Sequence, residues 1–242
     1  MTVVRALAKL TLSLRVTGVR PDGFHLIDAE MVTIDLADDL AFSEGDGLFV
    51  DVVGGAAPVP TNDTNLVRRA LRTVGATAQV RLTKRIPAGG GLGGGSADAA
   101  AVLRWAGVID HEAAAALGSD VPFCLVGGRA RVTGVGDVVQ PLPFEARTFT
   151  LLTPPFGVST PSVYRAWDEL GGPRADGLND LEPAALAVEP RLAAWRDRLG
   201  EATGATPVLA GSGSTWFVEG DYPGPGLLVV RTEAPEVQKL RA

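Results

Sequence analysis

The chain has 242 residues, 46% of them hydrophobic and 21% charged, enough apolar material for one large or two modest domains, which excludes a disordered chain. A formal net charge of −6 argues against a nucleic-acid backbone as partner, and the single cysteine, Cys124, excludes an internal disulfide. The opening MTVVRALAK carries no long apolar stretch and no run of about 18 apolar residues occurs, so a cytoplasmic protein without a membrane partner is expected.

In chain order, KLTLSLRV alternates strictly, with Leu10, Leu12, Leu14 and Val16 on one side and Lys9, Thr11, Ser13 and Arg15 on the other. This predicts a half-buried strand whose open face carries Lys9 and Thr11. VRPDGFH follows as turn chemistry, and Met31 to Leu36 and Leu48 to Val53 read as further strands. NLVRRALRTV sets Leu66, Val67, Ala70, Leu71 and Val74 on one helical stripe, with Asp63 or Thr64 as its expected cap. AQVRLTKR is strand-like through Ala78, Val80 and Leu82 and runs straight into PAGGGLGGGSADAA. Behind the glycines SADAAAVLRWA reads as helix, with Ser96 as N-cap and Asp98 in its first turn. Arg129 onward is strand-like with a tight turn at GVGD, and PLPF, Pro141 to Phe144, marks a boundary. Beyond it, short helices present Val163, Ala166, Trp167 and Leu170 on one face and Leu192, Trp195 and Leu199 on another. GSGSTWFV and GLLVVR close the chain as strand candidates. Strands and helices alternate without a βαβ rhythm, so a two-domain α+β protein is expected.

The glycine tract, six glycines in the seven positions 89–95, satisfies G-x-G-x-x-G almost unavoidably. The acidic residue that a dinucleotide site needs is represented only loosely by Asp110 or Glu112, and no lysine precedes Ser96 as a P-loop requires. A flexible linker fits poorly between a strand and a helix start. Backbone N–H groups turned to a concavity at a helix N-terminus do make an anion site without a loop lysine, so phosphate binding is the expected use. Asp120, in LGSDVPF, reads either as a helix or turn aspartate or as a base controlled by its apolar flanks, and Lys9 either as a solvated strand lysine or as a cation facing phosphate. Together they fit phosphoryl transfer, in which a base positions an alcohol and a cation steadies developing negative charge. Two histidines, one cysteine and no H-E-x-x-H give no catalytic zinc site, and no serine stands in G-x-S-x-G.

AKLTLSLRVTGVRPDGFH, PAGGGLGGGSADAA, LGSDVPF and GSGSTWF, in this order, resemble the four conserved blocks of the GHMP small-molecule kinases, and DTNLVRRA, TKRIP, GVGD and LNDLE extend the resemblance over nearly the whole chain. DGFH and LGSDVPF point within that family to the branch that phosphorylates a cytidine diphosphate-linked polyol in the non-mevalonate route to isoprenoids. The resemblance implies an α+β GHMP kinase fold, with an N-terminal ribosomal protein S5 domain 2-like, ATP-binding domain over residues 1–145 and a C-terminal ferredoxin-like domain over 146–242. It implies ATP and Mg²⁺, Lys9 and Asp120 as the catalytic pair, and a nucleotide site formed by Asn65, Lys84, Pro87, Ala88, Gly89, Gly90, Gly91, Leu92, Gly93, Gly94, Gly95, Ser96 and Ala97. Ser96 would stand near the metal, and Lys84 and Asn65 toward the nucleoside. Phe24, His25 and Tyr164 are implied as a pocket that sandwiches and reads cytosine, with Thr11 at the substrate end near the chemistry. Thr11 stands where the family usually has asparagine, Phe24 where tyrosine is usual, and Ala97 where a second serine is common. Homoserine- or mevalonate-type kinases and a non-catalytic nucleotide-binding module are the competing readings, and monomer or homodimer is left open.

Overall fold

The first hairpin is unusually long because apolar alternation continues through both arms: β1 (Thr2–Val19) pairs antiparallel with β2 (His25–Ser43) along nearly its whole length. Register shifts between Leu7 and Lys9, Thr11 and Ser13, and Val16 and Gly18 bend β1. The structure, a computed structural model, describes residues 1–53 and 59–235. Gly23, at φ +86°, lets the turn between the arms close, with Asp22 accepting from the Phe24 amide at 3.3 Å.

β3 (Gly47–Val52) is followed by α1 (Leu66–Thr73) and β4 (Gln79–Lys84). Next come α2 (Gly94–Trp105), α3 (His111–Leu117), α4 (Val121–Val126), β5 (Arg129–Gly134) and β6 (Val138–Leu142). The six-stranded sheet has the order β3-β4-β2-β5-β6 with β1 added on β2, and β3–β4 is its parallel pair. α2 lies between this sheet and its neighbouring helices. Ala97, Ala99, Ala100 and Ala101 are all buried in it, small enough for close approach on every side. Asn65, rather than Asp63 or Thr64, caps α1 by accepting from the Val67 amide at 2.8 Å. Ser96 is not the cap of α2 either: the helix begins at Gly94 behind Gly93, so Ser96 and Asp98 lie inside it.

The second domain runs β7 (Thr148–Leu152), α5 (Thr160–Glu169), α6 (Glu182–Val188), α7 (Leu192–Thr203), β8 (Val208–Leu209), β9 (Trp216–Glu219) and β10 (Leu228–Arg231). Its sheet is antiparallel in the order β10-β7-β9-β8, which is 4-1-3-2 in chain order, the helices α5 to α7 forming the first crossover. The second crossover, residues 220–227, contains no helix. Phe149 and Phe217 meet edge to face in its core, 5.8 Å between centroids. Leu170, expected on the buried face of α5, is half exposed because it follows the helix as its C-cap. The two domains are joined by an Ile34–Thr232 bridge and by Leu14 and Asn179, which pair across the chain. Among the described residues no helix is long and apolar enough to cross a membrane.

Candidate active site

A cavity of about 970 Å³ runs between the domains, lined by the middle of β1, the glycine loop, the start of α4, the β1–β2 turn and α5. Lys9 and Thr11 line its floor, but the face of β1 expected to be open to water is closed. The glycine loop lies across it, and the Lys9 amide donates to the Leu92 carbonyl at 3.0 Å. Lys9 Nζ donates to Thr11 Oγ1 at 3.0 Å and stands 3.5 Å from Asp120 Oδ2. Thr11 therefore anchors the lysine. Asp120 occupies the N-cap position of α4 without making a side-chain cap bond, so its carboxylate is left to face the cavity. Burial, with the Asp120 charge adding to it, raises the nearby Tyr164 phenol above its ordinary range, so it stays protonated.

The glycine loop answers to protein atoms as much as to any ligand. Gly91 has φ +77°, and a Cβ there would lie 2.1 Å from the Ala210 carbonyl oxygen. Gly93 has φ +68°, and a Cβ there would lie 2.7 Å from Lys9 Cγ. The remaining concavity is lined by Pro87 to Ser96 and opens on the first turn of α2, whose N–H groups have no intrahelical partners. Ala97 does not line it: this residue is wholly buried in α2, its amide bonded to the Gly93 carbonyl at 2.8 Å. Among the described residues no group of three or more His, Cys, Asp and Glu side chains is placed to hold a metal ion.

Lys84 lines the cavity as well. Its ammonium is buried beneath Gly94, bonded to Asp98 Oδ2 at 2.8 Å and to Asp38. Burial works against its charge, but the Asp98 and Asp38 carboxylates outweigh it and hold the group protonated. Burial raises the Asp98 carboxyl above the usual carboxylate range against the pull of Lys84, and Asp38 adds to the rise. Asp38 Oδ1 in turn accepts from the Arg85 and Ile86 amides. The triad thus fastens the entry of the glycine loop to the helix at its exit. Asn65 lines the cavity too, but its side chain is spent on capping α1 and on the Pro60 carbonyl, 2.7 Å away.

At the far end, His25 packs against Tyr164 with centroids 4.6 Å apart and against the edge of Trp167 at 5.6 Å. His25 Nε2 is 2.8 Å from Asp168 Oδ1, leaving Nδ1 as the ring nitrogen not engaged by that carboxylate. The ring partner of Tyr164 is therefore His25. Phe24 lines the cavity from the turn, largely exposed, with the Arg20 guanidinium 6.0 Å from its ring. Sequence reasoning missed Asp168, although its spacing of four from Tyr164 on α5 puts both on one helix face. It also missed Asp38, for which no local pattern exists.

Residues 65–128 match the family described as GHMP kinases N terminal domain. The 4-diphosphocytidyl-2-C-methyl-D-erythritol kinase of Cereibacter sphaeroides is 39% identical over 246 residues, covering 90% of this chain and 88% of that one. The protein of the same name from Pelotomaculum thermopropionicum is 39% identical over 250 residues, covering 88% and 86%. A crystal structure of 4-(cytidine 5'-diphospho)-2C-methyl-D-erythritol kinase superposes with TM-score 0.76 at 30% identity, covering 96% of this chain and 99% of that one. The mevalonate kinase of L. major shares the fold at TM-score 0.64 with 11% identity, covering 98% and 97%.

Proposed function

The chain belongs to the 4-diphosphocytidyl-2-C-methyl-D-erythritol kinases of the GHMP family, and from that premise we propose that it transfers the γ-phosphoryl group of ATP to the 2-hydroxyl of 4-diphosphocytidyl-2-C-methyl-D-erythritol. The observation that carries this reading is the Lys9–Asp120 pair, 3.5 Å apart, in one cavity with the glycine loop on one side and the Phe24, His25 and Tyr164 wall on the other. Such a cavity has room for a nucleotide at one end and a base-linked polyol at the other. The division into domains is taken at residues 145 and 146, in the loop between the two sheets.

In this reading Asp120 orients the acceptor hydroxyl and takes its proton as the new oxygen–phosphorus bond forms and the bond to the departing diphosphate oxygen breaks. Lys9, held by Thr11, faces the charge that develops on the transferring group. The glycine loop and the first turn of α2 hold the phosphates through backbone N–H groups. The Ser96 hydroxyl, which lines the cavity at the loop's exit, would help to hold Mg²⁺, and the metal would supply neutralisation of phosphate charge. Phe24 covers a face of the cytosine, and His25, oriented by Asp168, meets its polar edge through Nδ1. Tyr164 backs the histidine.

The test is ADP release from ATP with the cytidylylated substrate against free methylerythritol phosphate, homoserine and mevalonate. Turnover confined to the cytidylylated compound supports the proposal. Turnover with one of the others moves the assignment to another alcohol kinase, and ATP binding without transfer to any acceptor leaves a nucleotide-binding module.

A further inference from the structure

The LND segment, residues 178–180, has no part in the chemistry above, yet Asn179 and Asp180 are among the most deeply buried polar residues of the second domain. Asn179 Nδ2 donates to the carbonyls of Leu209 at 2.8 Å and Gly211 at 2.6 Å, and Asn179 Oδ1 accepts from the Leu181 amide at 2.9 Å. Both amide hydrogens are thus directed at one turn, and no other uncharged side chain of this size offers two donors and an acceptor in that geometry. The neighbouring residues grip β1. The Leu14 amide donates to the Leu178 carbonyl at 2.8 Å and the Asp180 amide to the Leu14 carbonyl at 2.9 Å. Asp180 accepts from Arg15 Nη1 at 2.6 Å and from the Val16 amide at 3.1 Å.

The turn that Asn179 holds is the one that meets the reacting end of the cavity. A Cβ on Gly211 would stand 3.3 Å from Lys9 Nζ, and the Ala210 carbonyl presses on Gly91. The Ser214 amide donates to the Gly89 carbonyl at 3.2 Å and the Thr215 amide to the Gly90 carbonyl at 3.1 Å. Lys9 sits on the strand that residues 178–180 grip, and the glycine loop is bonded to the turn that Asn179 grips. One short segment therefore connects both partners of phosphoryl transfer.

We propose that Asn179 is a positioning residue for phosphoryl transfer, fixing the 209–215 turn, and with it the glycine loop, against Lys9. The proposal rests on the kinase reading, so wild-type turnover is measured first; its absence overturns that reading and leaves the positioning claim without a reaction to position. Given wild-type turnover, the decisive variant is Asn179→Asp, which keeps shape and Oδ1 but turns two donors into an acceptor aimed at two carbonyls. The expected result is a fall in kcat of about 10-fold or more, while the affinity for the cytidine-linked substrate, measured by calorimetry, changes by less than about twofold. A residue that served stability alone would lower the melting temperature and leave kcat of the folded protein within about twofold, and that result overturns the proposal. An equal loss of both ligands with kcat intact also overturns it. If Asn179→Asp does not fold, Asn179→Ala, which removes these two bonds and the one from the Leu181 amide without adding charge, is read by the same criteria. Asn179→Gln, restoring the amide on a longer stem, is expected to recover less than half of the lost rate, because the two carbonyls fix where the donors must lie.

Discussion

At the phosphate end of the cavity Lys9, Thr11 and Lys84 are 5%, 1% and 2% exposed, and glycines touch protein backbone or side chains where a methyl group would not fit. At the base end Phe24 is 58% exposed and the Asp168 side chain 49% exposed, and the wall is made by a hairpin turn facing a helix of the other domain. The first end is set by packing and by ionic contacts that have nowhere else to go, so its geometry is present before any ligand arrives. The second is assembled from two elements that touch through rings and one partly exposed histidine–carboxylate hydrogen bond, so its shape follows the closeness of the domains. Changes at the first should therefore register in folding and in turnover, and changes at the second in affinity alone.

The sharpest way to break this contrast is Lys84→Met. It leaves Asp38 and Asp98 buried without their counter-charge, and breaking such a pair costs about 3–5 kcal/mol. Asp168→Asn, which weakens the partly exposed hydrogen bond to His25 at the other end, should cost about 1 kcal/mol or less. Urea unfolding of both variants reads the difference directly. Equal losses would mean that the buried triad is no stiffer than a partly exposed hydrogen bond. Next in size is Asp120→Asn: turnover should fall by about 100-fold or more because the amide can orient a hydroxyl without accepting its proton. The variant should still fold, since the Asp120 side chain makes no capping bond, with a loss of stability confined to its pairing with the buried Lys9 ammonium. Near-normal turnover in the folded variant would remove Asp120 from the reaction.

The middle case is Gly93→Ala. A left-handed conformation costs a non-glycine residue about 1–2 kcal/mol, and the added methyl must displace the Lys9 stem from 2.7 Å. Turnover and ATP affinity should both fall while calorimetry shows the cytidine-linked substrate bound as before. Unchanged turnover would show that the lysine stem yields without moving its ammonium.

That Lys9, the glycine loop and Asp120 belong together was legible because their signals are local: a strand with period two, six glycines, and Asp120 between a turn and apolar residues. The sequence did not carry the burial of Lys9 and Thr11, since alternation reports two faces of a strand and not what covers each of them. Nor did it carry the fate of Lys84, whose partner Asp38 lies 46 positions away on β2. Ser96 was misread as a cap for a physical reason: Gly93, at φ +68°, turns the chain into the helix one residue ahead of Gly94, and no side chain is needed there. The base end was legible as residue types, but its arrangement depends on the approach of α5 to the β1–β2 turn. Only the structure pairs His25 with Tyr164 and Asp168.

The smallest expected effect probes that base end. Loss of one stacking partner costs a bound base about 1–3 kcal/mol, and Phe24, largely exposed and with a guanidinium 6.0 Å from its ring, belongs at the lower limit. Phe24→Ala should thus weaken the cytidine-linked substrate by about 1 kcal/mol, roughly fivefold, and weaken a uridine-linked analogue by the same factor, because a ring face does not distinguish the two bases. ATP affinity should be untouched, as Phe24 stands at the opposite end of the cavity from the glycine loop. Paired titrations decide the matter. If the uridine analogue loses less than the cytidine compound, Phe24 contributes to discrimination and not only to stacking. If ATP binding weakens in step, the two ends are coupled through the hairpin, and the base end is as fixed as the phosphate end.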